Sequence, residues 1–104
     1  MTFTQMLREA GFPTAEGEFR ADAKPPYIVW EHDGETVCAD SRVVYIDGIY
    51  SVYLAVGRGD EESEKTLEAV LDAHGIAYTK ERSWIGGKQM IYLCEYQFDA
   101  KEDW

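Results

Sequence analysis

Cysteine is scarce in this chain, basic charge is outweighed two to one, and no long apolar run exists. The two cysteines, Cys38 and Cys94, lie far apart among 104 residues. Met1-Thr2-Phe3-Thr4-Gln5 has neither the basic region nor the apolar core of an export signal. A structural disulfide is therefore not expected, and two buried free thiols are. Zinc is not expected either, because Cys38, Cys94, His32 and His74 fall at no recognisable ligand spacing. No run reaches the ~18 apolar residues of a membrane span. The expectation is a cytoplasmic protein without membrane contact.

Ten Lys and Arg residues stand against 20 Asp and Glu, a formal net charge of -10. Such a chain should not bind nucleic-acid phosphates tightly. It can surround or mimic a nucleic acid, or simply carry a solvated acidic surface. Catalytic signatures are missing as well. Gly57-x-Gly59 lacks the spacing and the lysine of a phosphate-cradling loop, and Asp60, Glu61 and Glu62 would repel an anion from Arg58. His74 reads as the partner of a helix dipole, and His32 as an exposed residue beside a turn. Ser41 and Ser83 have no context that marks a nucleophile. The sequence points to no enzyme, no metal and no cofactor.

What is present is one clear amphipathic helix over residues 60–74. Asp60 suits its N-cap, and Glu61, Glu62 and Glu64 favour the positive end of its dipole. Leu67, Val70 and Leu71 share one face, and Lys65, Glu68 and Asp72 the other. Gly75 can take the left-handed conformation that ends a helix. A shorter helix is expected over residues 3–10. Thr2 and Gln5 form a capping box, and Phe3, Met6, Leu7 and Ala10 share a face. Residues 12–24 read as a connecting loop anchored by Phe12 and Phe19.

Strands are expected over residues 27–32, 35–39, 42–46 and 49–57, with a hairpin over 76–98. Asp33-Gly34, Asp47-Gly48 and Gly86-Gly87 read as the hairpin turns, and Asp40-Ser41 as a break. The order α-ββββ-α-ββ predicts one α+β domain over residues 1–104, with an antiparallel sheet and helices on one face. The polar tail 99–104 is expected to fray.

Two strands alternate cleanly. Tyr50, Val52, Leu54 and Val56 form a face for the long helix to cover. Ile49, Ser51, Tyr53 and Ala55 form the other. Met90, Tyr92, Cys94, Tyr96 and Phe98 likewise oppose Gln89, Ile91, Leu93, Glu95 and Gln97. This leaves a surplus of large apolar residues on outer faces: Ile49, Tyr53, Trp84, Ile85, Ile91 and Leu93. Either the N-terminal helix and the 12–24 loop cover them, or they meet a partner.

The motif order carries a resemblance. Pro25-Pro26-Tyr27-Ile28-Val29-Trp30, Ala39-Asp40-Ser41, Tyr50-Ser51-Val52-Tyr53-Leu54, Gly75-Ile76-Ala77-Tyr78 and Met90-Ile91-Tyr92-Leu93-Cys94-Glu95-Tyr96 follow one another. The chain resembles the tail completion, tail terminator or minor capsid proteins of long-tailed phages and Gram-positive prophages. The resemblance implies an α+β fold, no enzyme activity and a ring oligomer, commonly a hexamer, on the tail tube beneath the head. It implies partners among tail tube and head-connector proteins, and a place in the host cytoplasm during assembly and then in the virion tail. The alternative function is an acidic DNA-mimic inhibitor of a host nucleic-acid-binding protein.

Overall fold

The computed structural model describes residues 1–18, 24–34, 36–39, 42–45, 48–86, 90–101 and 103–104. Its elements run α1 (Phe3–Arg8), β1 (Thr14–Glu16), β2 (Tyr27–Asp33), β3 (Thr36–Ala39), β4 (Arg42–Tyr45), β5 (Ile49–Gly57), α2 (Glu61–Ala73), β6 (Thr79–Gly86) and β7 (Ile91–Asp99). Five strands form a sheet in the order β1-β2-β5-β7-β6, and β3 pairs with β4 apart from it. The fold is α+β, with both helices on one face of the larger sheet.

Local chemistry explains both helices. At α1 the Thr2 side chain accepts from Gln5 N, and Gln5 Oε1 accepts from Thr2 N. At α2 the Asp60 carboxylate accepts from Ser63 N at 3.1 Å and from the Ser63 hydroxyl at 2.7 Å. The far end of α2 closes as the sequence predicts. Gly75 has φ +68. Its N–H donates to Asp72 O, and Ile76 N donates to Leu71 O, each at 3.0 Å. Ile76 is buried beside Leu71 in the core, the apolar contact that accompanies this cap.

Leu67 and Leu71 from α2 and Phe3, Met6 and Leu7 from α1 meet Tyr50, Val52, Leu54, Cys94, Tyr96 and Phe98 in one buried cluster. Phe3 stacks on Tyr50 with ring centroids 3.9 Å apart. Phe12 packs against the edge of this cluster, while Phe19 lies outside the described residues.

Several expectations need correction. The sheet is antiparallel except at one edge, where β1 pairs parallel with β2, Ala15 opposite Val29. Three residues carry no readable period, and β1 exists because β2 offers it a ladder. Asp33-Gly34 does not turn β2 back onto β3. Instead β2 pairs with β5 along all seven residues, burying Ile28 and Trp30 beside Leu54 and Val52, which a four-residue β3 could not do. The β3–β4 pair is a ribbon inserted between these two strands, with Ala39 opposite Arg42. Its reversal falls at 40–41, outside the described residues, as does Asp47. Gly48 therefore crosses the end of β2 rather than closing a hairpin. A Cβ there would lie 2.1 Å from the Asp33 carbonyl oxygen. The third hairpin, β6–β7, stands. Its connection includes 87–89, outside the described residues, and Met90 (φ 51) precedes β7 rather than joining its core face.

The C-terminal segment does not hang free. Trp104 packs edge-on to Phe3 at 5.2 Å and Tyr50 at 5.3 Å between ring centroids. Ala100 N donates to Gly48 O, and Trp104 N to Met1 O. A half-buried tryptophan with aromatic neighbours outweighs the polar residues around it.

Candidate functional site: the sheet face opposite the helices

Strand pleating sends alternate side chains to opposite faces, and residues paired across strands share a face. Register therefore assembles the second face in rows. Val29, Tyr53, Glu95 and Glu81 form one row, and Tyr27, Ala55, Leu93 and Ser83 the next. Ile91 continues the strip opposite Gly57, while Ile49 and Asp99 stand opposite each other at the far end. Among the described residues neither helix reaches this face, because α1 joins α2 on the other side. Of the first sequence alternative, cover by the N-terminal helix and the 12–24 loop, the helix part is overturned, while residues 19–23 of the loop lie outside the described residues.

Ala55 is fully buried within the strip, while Tyr27, Val29, Tyr53, Ile91 and Leu93 are half-buried. Ile49 is 47% exposed. Burial raises the Tyr53 pKa, and the carboxylates of Glu95 and Glu31 raise it further. Gln97 Nε2 donates to Glu95 Oε2 at 2.9 Å and to Ser51 Oγ at 3.3 Å. These bonds hold Glu95 beside the tyrosine. Acidic groups thus frame an aromatic and aliphatic strip.

The six sequence candidates divide. Ile49, Tyr53, Ile91 and Leu93 come together on the open face. Trp84 does not join them. It stands in register with Tyr92 on the helix-side face, rings 4.6 Å apart, and is 49% exposed beyond the reach of α2. Ile85, 60% exposed, lies at the β-bulge between Trp84 and Gly86. Sequence reasoning missed Tyr27 and Val29 as members of the strip. Their alternation with Ile28 and Trp30 carried the signal, but only the β2–β5 register sets them beside Tyr53.

A second constellation lies under α2. Glu68, expected on the solvent face, instead accepts from Lys80 Nζ and the Tyr96 hydroxyl, each at 2.8 Å. Desolvation opposes the charge on Glu68, but bonds from Lys80 and Tyr96 outweigh it and hold its pKa low. Glu64, one turn earlier, is buried and meets Lys80 at 2.9 Å and Arg82 at 3.0 Å. Cys94 Sγ donates to Glu64 at 3.2 Å. Burial, then this carboxylate, pushes the Cys94 thiol up to about 11, which leaves little thiolate for chemistry. The cluster is balanced, two carboxylates against two cations, and it fastens α2 to β6 and β7. The Cys38 side chain lies outside what is described.

His74 makes a third contact set. One ring nitrogen faces Trp104 O and the other lies 2.8 Å from Glu9 Oε2. Two acceptors suit an imidazolium, which donates from both nitrogens. Its pKa is raised, first by the Trp104 carbonyl and next by Glu9. Beyond capping α2, His74 ties that helix to α1 and to the C-terminal segment.

Among the described residues no three His, Cys, Asp or Glu side chains converge as a metal site. No described helix is long and apolar enough to cross a membrane. No family model and no curated protein matches the chain.

Proposed function

We propose that this chain is a phage or prophage virion structural protein that completes the tail and joins it to the head. In this reading it acts by surface contact and not by catalysis, as a ring on the tail tube, hexameric by the resemblance described above. One observation carries the proposal: a sheet face with Tyr53, Ile91 and Leu93 at its centre that no described helix covers. An apolar patch on a small domain generally marks a contact surface. Ring subunits meet head to tail through two different patches. The exposed Trp84–Ile85 corner on the opposite side supplies a candidate for one of them. Deleting the gene from a phage that carries it should leave filled heads and unjoined tails in micrographs. Normal virions from the deletion would end the proposal.

A second reading has its own observation. Glu31, Asp33, Glu81, Glu95 and Asp99 share the open face by register, as carboxylates on a DNA mimic would. Tyr53→Asp separates the two. It removes apolar contact needed for joining but adds charge to a mimic. A mimic should keep or strengthen its competition with duplex DNA for a basic host protein, while a joining protein should lose tail completion.

A further inference from the structure

Among the described residues the open face carries charge of one sign only. Glu31, Glu81, Glu95 and Asp99 surround the strip, and among the described residues of the five-stranded sheet no lysine or arginine shares the face. The basic residues of β6 project to the other side, where Lys80 and Arg82 pair with Glu64 and Glu68. Two copies set face to face would oppose carboxylate to carboxylate, and like charges across an interface suppress pairing. A head-to-tail contact between copies would need a basic, apolar surface elsewhere on this chain. Its described cations do not form one. Lys80 and Arg82 are committed to Glu64, Lys101 donates to His74 O, and Arg8, Lys24, Arg58 and Lys65 stand on separate segments.

Area points the same way. Four strands about 4.8 Å apart and seven residues at about 3.3 Å each give roughly 400 Å². That is about half of the ~800 Å² that each partner contributes to a standard interface. Apolar contact alone is too small here, and electrostatic complementarity must add to it.

We propose that this face docks a different protein, through a surface on which basic and apolar side chains alternate. The apolar members lie on Val29, Tyr53 and Leu93, and the basic members meet Glu31, Glu95 and Glu81. Ring closure between copies then falls to other surfaces. The inference rests on the assembly reading only in treating this face as an interface. It adds the chemistry of the occupant, for which the described residues of a second copy offer no matching surface.

The test uses the full isotope-labelled chain and two synthetic peptides, one alternating lysine with valine and one alternating glutamate with valine. At about 50 mM salt the lysine peptide should bind at least ~10-fold more tightly than the glutamate peptide, and it should weaken at about 500 mM. Amide shifts should centre on Val29, Tyr53 and Leu93. The Glu31→Lys, Glu95→Lys double variant should lose the binding with amide dispersion intact. A charge-matched Glu61→Lys, Glu62→Lys variant should keep it. Equal loss in both variants would reduce the effect to general attraction by an acidic chain and overturn the proposal. So would shifts centred on α2, equal binding of both peptides, or a dimer in sedimentation that Tyr53→Asp dissolves. Lysine-peptide binding at this face together with normal virions from the gene deletion would keep this inference and discard the tail reading.

Discussion

The two faces of one sheet solve opposite problems with the same alternating strands. On the covered face Tyr50, Val52, Leu54 and Tyr96 are wholly or nearly wholly buried. Every charge brought in there by α2 is answered, Glu64 by Lys80 and Arg82, and Glu68 by Lys80 and Tyr96. On the open face Tyr53 and Leu93 are only half-buried, and among the described residues of the sheet the acids beside them have no cation on their side. Burying charge without a partner is costly, whereas solvated carboxylates at an uncovered face cost little. The covered face therefore holds the fold together, and the open face is left to meet something else.

The largest expected effect tests that division directly. Leu67→Ala empties a fully buried site and should cost ~2–5 kcal/mol in urea denaturation. Leu93→Ala, on the open face, should cost well under half as much. Equal losses would mean that the open face is itself a core.

Next comes the paired acid against the open one. Glu64→Ala leaves Lys80 and Arg82 without their shared partner, but both cations retain solvent access. The cost should be about 1–3 kcal/mol. Glu95→Ala should change stability by less than about 0.5 kcal/mol, or raise it slightly by easing repulsion. A larger loss at Glu95 than at Glu64 would reverse the assignment of the faces.

Gly48→Ala tests the place where the inserted ribbon leaves the sheet. The new methyl would strike the Asp33 carbonyl, and φ of +95 is unfavourable for alanine. A loss of about 1–3 kcal/mol is expected, and a neutral result would mean that the β2–β5 ends are not packed this closely.

The smallest effect concerns pH. His74 is held by Trp104 O and Glu9, and its folded pKa lies above the usual histidine value. Its contribution to stability is thus fully present below about pH 6.5 and is lost as pH rises through the raised folded value. The denaturation midpoint should fall between about pH 6 and pH 8, and His74→Gln should flatten that slope. An unchanged slope would remove His74 from the clamp. Tyr53 should contribute no slope in this range, because burial and the neighbouring carboxylates raise its pKa above the usual value near 10.

Much of this was legible beforehand, and the reason differs by element. Both helices were readable because their caps are made by residues three or four positions away, Thr2 with Gln5 and Asp60 with Ser63. The two faces of β5 and β7 were readable because side-chain alternation is a property of any strand. Four of the six surface candidates followed from that alternation alone. Trp84 was misgrouped because its face is set by pairing with Tyr92 across a connection of unreadable geometry.

By itself the sequence determined the acidic balance, the α+β class, the ends of α2 and which side chains alternate. Tertiary structure alone decided the rest. It chose β5 over β3 as the partner of β2, made a strand of Thr14–Glu16, turned Glu68 inward onto Lys80 and Tyr96, and seated Trp104 on Phe3 and Tyr50. Each of these joins residues at least twelve positions apart, where local propensity has no purchase and the outcome is set by which apolar surfaces can be buried together. The open face belongs to the same class: its residues were visible, but that both helices would choose the other side depended on where Phe3, Leu67 and Leu71 could all reach one core.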